Sequence, residues 1–228
     1  MYVPQHFAMT DDAVRALLGT PSAGDLVTRG PDGMEATHLP FAYDPAAGPR
    51  GTLIAHMGRI NPQWWNADGE AMVILGGPEA YVPSETMRTS PEGPAPTPTW
   101  DYVTVHAYGD LTVRTKPEEI VPGLIRLTEV FGTAYHDRFR AADMDEATMG
   151  RMLRSIVGIE IRLTHWVAKA KMSQNKPPQV VEHIADEVGE DVATWLRHYS
   201  LPRARAKQRV TEGIAARRAS RPDDRIAR

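Results

Sequence analysis

The chain contains no cysteine, which removes disulfides, thiolate metal sites, iron–sulfur clusters and thiol nucleophiles. Any redox chemistry must then come from a bound cofactor. No apolar run approaches the length that spans a bilayer. The opening Met1-Tyr2-Val3-Pro4-Gln5-His6-Phe7 lacks the basic start and apolar stretch of a secretory signal, so a cytoplasmic location is expected. No Gly-rich phosphate loop opens a helix after a strand, and a phosphate would have to be gripped by side chains. The eight histidines show no metal-ligand spacing, and Ser22, Ser84 and Ser173 lack the Gly-x-Ser-x-Gly context of a nucleophile elbow. Neither a catalytic metal nor hydrolase chemistry is expected.

What remains is 228 residues, enough for one main domain with appendages. The net charge of −3 hides an asymmetry: residues 203–228 carry nine Arg/Lys against three Asp/Glu, and the body is acidic. A basic tail releases counterions from nucleic acid or meets an acidic partner; a solvated terminal helix that frays accounts for it without a partner and is the favoured reading.

Along the chain, Thr10 caps a short helix whose apolar face is Val14, Leu17 and Leu18, stopped by Gly19. Residues 25–28 and 34–38 flank Arg29-Gly30-Pro31-Asp32-Gly33 and predict a β-hairpin. Strands follow at 52–56, 71–75 and 80–82, the last two separated by Gly76-Gly77. Five prolines between 83 and 99 dictate a loop. Residues 100–108 alternate strongly, and Gly109-Asp110 before 111–115 predicts a second hairpin. Helical spacing appears at 117–132 and 145–156, and a long strand with one buried face runs from Gly158 to Lys171. Residues 178–199 read as helix with a break at Gly189. Many short strands, peripheral helices and one late strand predict a mainly β (α+β) fold, an antiparallel Greek-key-like barrel, rather than a doubly wound sheet. Its expected layout is a barrel domain over 1–175 with a helical insertion at about 117–156, a helical segment over 176–202 and the basic tail.

Three clusters have binding chemistry. His56-Met57-Gly58-Arg59-Ile60-Asn61-Pro62-Gln63-Trp64-Trp65 leaves a strand and enters a polar turn; Arg59 suits a phosphate, with Asn61 and His56 beside it. A surface ion pair and an Asn-Pro turn explain the same residues as well. Lys169 to Lys176 offers lysine, hydroxyl and amide groups, or simply a polar connection. Thr37-His38-Leu39-Pro40-Phe41 ends at a proline that cannot donate to a ladder, which marks a strand edge or end. His38, His106 and His165 taken singly read as structural histidines.

These clusters, with Met1-Tyr2-Val3-Pro4, Gly77-Pro78, Ala80-Tyr81 and Pro98-Thr99-Trp100, are collinear with a known pattern. The chain resembles the PaiB family of FMN-binding negative transcriptional regulators, whose fold is similar to the split barrel of pyridoxamine-phosphate oxidases. The resemblance implies an FMN-binding split β-barrel and a homodimer with cofactor at the subunit interface. It also implies an FMN-dependent oxidoreductase or a flavin-binding regulator; with no helix-turn-helix carrying a basic recognition helix, direct DNA contact is expected only through the tail, and no membrane partner is expected. By matching motif, Arg59 and Lys171 become phosphate partners with Ser173 assisting. Thr37, His38, Leu39, Trp100 and Gln174 lie near the ring, and His56, Met57 and Asn61 complete the cofactor-binding set. The chain departs from the family at Glu79, at Pro83-Ser84-Glu85-Thr86-Met87, and at Asp101, where asparagine is usual. Because some split-barrel relatives take haem, a haem protein with His56, His38 or His106 as axial ligand is the alternative.

Overall fold

The computed structural model describes residues 1–90 and 93–219, apart from the side chains of 218 and 219. Six strands, β1 (Ser22–Gly30), β2 (Gly33–Asp44), β3 (Thr52–Gly58), β4 (Asp68–Val82), β5 (Thr99–Arg114) and β6 (Ile156–Lys171), close into a barrel in the order β1-β2-β3-β6-β5-β4. The pairings of β1 with β2 and β4, and of β3 with β2 and β6, are antiparallel. Helix α1 (Asp11–Leu18) begins where the Thr10 hydroxyl accepts from the Ala13 N–H, 3.3 Å away, and buries Val14 and Leu18 against the barrel core. Alternation builds that core: Val105 and Ala107 of β5, and Val157, Ile159, Ile161 and Leu163 of β6, all face inward.

The first hairpin is as expected: Gly30 pairs with Gly33 across Pro31-Asp32, and Gly33 has φ 121°, a conformation that favours glycine. The second expected hairpin does not form. β5 runs unbroken through Gly109-Asp110 because Gly109 serves a close approach instead of a turn; a Cβ there would lie 2.3 Å from the Arg162 carbonyl oxygen. Gly76-Gly77 likewise does not divide β4, which is one strand from 68 to 82.

α2 (Gln63–Asn66) forms the turn after β3. The helical insertion consists of α3 (Pro117–Tyr135), with proline in its first turn, and α4 (Glu146–Ser155), capped by the Asp145 carboxylate accepting from Thr148 N–H. Ile120, Leu124, Leu153 and Ile156 form a second apolar cluster there. β2 and β3 pair only over 42–44 and 52–54, and α3 packs on both strands.

The described residues divide into two compact units, each discontinuous in sequence: Met1–Val3, Met9–Gly77 and Thr104–Lys169 form the barrel unit, while Pro4–Ala8 and the described residues of 78–103 and 170–219 form the second. The expected boundary at 175 falls inside this second unit. There, α5 (Pro178–Glu187) is separated by Gly189 from α6 (Glu190–Trp195), and a single π-turn (Leu196–Ser200) leads into α7 (Leu201–Ala219). The basic tail is therefore helical to Ala219, and 220–228 lie outside the described residues. Among the described residues no helix is long and apolar enough to cross a membrane.

Candidate functional site

In the barrel unit, the turn after β3 is held by a network centred on Gln63, a residue the sequence reading quoted within the segment but gave no role. Its side chain is 1% exposed. Nε2 donates to the Leu26 carbonyl (2.9 Å), the Thr28 hydroxyl (3.0 Å) and the Glu35 carbonyl (3.2 Å), while Oε1 accepts from the Thr37 hydroxyl at 2.5 Å. Asn61 completes it: Nδ2 donates to Thr37 Oγ1 (3.0 Å) and Oδ1 accepts the Gln63 backbone N–H (2.9 Å). Thr37 and Asn61 thus spend their polar groups on shaping the turn. Leu39 and Met57 lie in the barrel core.

Arg59 fastens the end of β3. Its backbone N–H donates to the Ser155 carbonyl (2.8 Å), and Nη2 donates to the carbonyls of Thr115 (3.0 Å) and Leu153 (3.4 Å). Nε and Nη1 make no hydrogen bond among the described residues. His38 pairs at the surface with Asp25, 2.8 Å from Nδ1 to Oδ1.

His56 is different. Nδ1 is buried without a hydrogen-bond partner, and burial pushes the imidazole below its ordinary pKa, so the ring is neutral at pH 7. With Pro40, Leu127, Phe131 and Phe139 it lines an apolar cleft of about 220 Å³. The cleft opens where β2 and β3 part, and Pro40 suits that position: it keeps its pairing with Ala23 of β1 and leaves no stranded N–H on the side where β3 is missing. His106 is also held below its usual pKa, by partial burial and then by the N-terminal ammonium.

The second unit brings Trp100, Lys171, Ser173 and Gln174 together, because the start of β5 runs beside the end of β6. Lys171 Nζ donates to the Thr99 hydroxyl and the Trp100 carbonyl. Trp100 is half exposed, packs on Tyr81 with ring centroids 6.1 Å apart, and donates from Nε1 to Glu79 Oε2 at 3.2 Å. Gln174 folds back on its own turn: Oε1 accepts from the Met172 N–H (2.8 Å) and Nε2 donates to the Ala170 carbonyl (2.6 Å). That turn holds Ser173 in the left-handed region, φ 54°, uncommon for a residue with a Cβ and characteristic of functional loops.

A cavity of about 240 Å³ opens beside this turn, its lining including Phe7, Thr99, Asp101, Lys171, Ser173 and Lys176. Ser173 Oγ is buried and lacks a hydrogen bond at full geometry, as do both oxygens of Asp101, whose side chain is 1% exposed. Burial raises the Asp101 pKa above the ordinary aspartate value; the Ser173 hydroxyl, Lys171 and Lys176 oppose it in that order. Asp101 and Lys176 were not among the predicted ligands. The alternation of β5 carried a signal for Asp101, since 101 shares the buried face of Val103, Val105 and Ala107.

Comparison with known proteins identifies the family and the fold. The family described as "Putative FMN-binding domain" matches residues 1–165. The chain is 27% identical over 194 residues to "Protease synthase and sporulation protein PAI 2" of Bacillus subtilis strain 168, covering 82% of this chain and 90% of that one. Among solved structures, it is similar in fold to the FAD and heme binding protein of Mycobacterium smegmatis (TM-score 0.54, 15% identity, 73% of this chain and 74% of that one). It is also similar to the conserved protein Rv2991 of Mycobacterium tuberculosis (TM-score 0.53, 15% identity, 78% and 94%). With its six-stranded split barrel and a domain match that runs from Met1 almost to the end of β6, the chain belongs to the PaiB-type family of FMN-binding domains.

Proposed function

We propose that this chain binds FMN, with the cavity beside Asp101 and Ser173 receiving the phosphate. The observation that carries this reading is a buried Ser173 hydroxyl, neighbour to the Asp101 carboxylate, lining one cavity with Lys171 and Lys176, the donor set a phosphate monoester needs. The family match supports it, and Lys171 and Ser173 are the positions to which the resemblance assigns phosphate contact. Arg59, through Nε and Nη1, offers a further anion-binding group on the barrel unit.

When bound, FMN supplies hydride and single-electron chemistry that no side chain of this cysteine-free protein provides. The residues contribute binding and orientation. The left-handed turn at Ser173, braced by Gln174, fixes the hydroxyl, and the exposed indole of Trp100 offers a flat face for a ring to stack on. Neutral His56 gives the apolar cleft one hydrogen-bonding group for a substrate. The reading serves a flavin-dependent oxidoreductase or a flavin-binding regulator of the PaiB type, working as a homodimer in the cytoplasm.

The visible spectrum of the purified protein tests the cofactor directly. Paired flavin bands are expected; one intense Soret band would establish haem instead, and a colourless protein that takes up neither would defeat the proposal. Lys171→Ala and Ser173→Ala together should weaken FMN binding by about ten- to a hundredfold, the scale of one charged hydrogen bond. Oxidation of a reduced nicotinamide by the FMN-loaded protein separates the oxidoreductase from the regulator, and light scattering gives the oligomeric state.

A further inference from the structure

Asp101 is an unexpected neighbour for a phosphate. Its carboxylate is buried, lies 4.0 Å from Lys171 Nζ, and lines the same cavity as Ser173 and Lys176. The charged groups that face it are Lys171 from β6 and Lys176 from the turn that follows. The 3₁₀ turn Gln5–Phe7 contributes only Phe7 to the wall, and the 97–99 segment only hydroxyls and Pro98. Two ammonium groups against one carboxylate leave the cavity with one net positive charge. A dianion entering it would reverse that balance and would bring two anions together in a poorly screened place, where like charges repel strongly. Protonation of Asp101 removes the conflict and turns the repelling oxygen into a hydrogen-bond donor aimed at the incoming anion.

We propose that Asp101 is a proton-linked gate for an oxyanion in this cavity: its carboxylate offsets one of the two ammonium charges while the cavity is empty and takes up one proton as a phosphate monoester enters. The gate rests on the flavin reading only for the identity of the ligand that bears the phosphate. Two features support it. The groups near the buried Asp101 carboxylate, the Ser173 hydroxyl and backbone N–H with Lys171 and Lys176, are the same groups a phosphate would use, so carboxylate and ligand compete for them. Ser173, held at positive φ, presents its buried hydroxyl at the same wall beside Asp101, able to donate to whichever of the two, carboxylate or ligand, carries the charge.

Sulfate is the diagnostic probe, because it does not titrate in the neutral range and any proton taken up on its binding comes from the protein. Calorimetric titration of the full chain in two buffers of different ionisation enthalpy should show about one proton absorbed per sulfate once the pH is above the Asp101 pKa, with affinity falling about tenfold per pH unit in that range. Asp101→Asn should bind sulfate without proton uptake, and at alkaline pH about tenfold or more tightly than the native protein. Proton uptake that persists in D101N, sulfate binding without uptake in the native protein, or no sulfate binding at all would each overturn the gate. Should D101N fail to fold, Lys176→Met decides, since Lys176 is partly exposed: weaker sulfate binding with uptake retained supports the gate, and unchanged affinity overturns it. FMN titration of the same samples keeps the two proposals apart. FMN binding without sulfate-linked uptake retains the flavin reading and removes the gate, whereas uptake without FMN binding does the reverse.

Discussion

Single side chains explain why the turn after β3 holds its shape. Gln63 satisfies two backbone carbonyls and two hydroxyls from a site with almost no solvent access, so Gln63→Ala would strand buried polar groups. A loss of about 2–3 kcal/mol is expected in urea denaturation; an unchanged midpoint would mean the network does not hold the turn. His56 governs the acid limit. Its pKa is lowered in the folded protein by burial, so its contribution to stability is complete above the unfolded value of about 6.5 and is lost as the pH falls through the lowered folded value. His106 acts in the same direction. The melting temperature should therefore drop on acidification below neutrality, and His56→Gln should make that drop shallower; an identical slope in the variant would exclude His56 as its source. Arg59 shows the limit of reading a residue by type. Its guanidinium was legible as an anion-binding group, but its grip on the Thr115 and Leu153 carbonyls depends on where α3 and α4 arrive, which residue chemistry alone does not specify.

At the scale of elements, glycine carried two meanings that the local pattern does not separate. Gly33 makes a turn at positive φ, whereas Gly109 lies in mid-strand because the Arg162 carbonyl passes too close for a side chain. Gly109→Ala should part β5 from β6 locally and cost about 1–3 kcal/mol. Gly76→Ala, where a Cβ would meet nothing within 4 Å, should stay within about 0.5 kcal/mol. Equal melting temperatures for the two variants would sink the close-approach explanation. The helices were the easier elements. α3 and α4 each present an apolar face at helical spacing, and Leu124 is buried in the cluster this face forms. Leu124→Ala should cost about 2–5 kcal/mol, measured by thermal or chemical unfolding.

For the whole molecule, the distribution of charge and the meeting of distant strands matter most. Two cations of the basic end are engaged at the surface: Arg205 pairs with Glu182 at 2.5 Å, and Arg203 donates to the Tyr199 carbonyl while lying over the Tyr199 ring, 3.6 Å from its centroid. With those cations occupied, duplex DNA should show no gel shift at physiological salt; a shift that weakens steeply with salt and vanishes on deleting 203–228 would assign the tail to nucleic acid. By itself the sequence determined the inward and outward faces of most strands and helices, though not the continuity of β4 and β5 through their glycines, together with the barrel class, the absence of thiol chemistry and, through collinear motifs, the family, because periodicity and motif order are local properties written directly in the residues. Only the tertiary structure decided which polar groups are spent on the fold and which stay available. Asp101 and Lys171 are far apart in the chain and become neighbours only when β5 lies beside β6, and whether a lysine, a hydroxyl or an arginine still has a donor to offer depends on the partners that such non-local pairing brings to it.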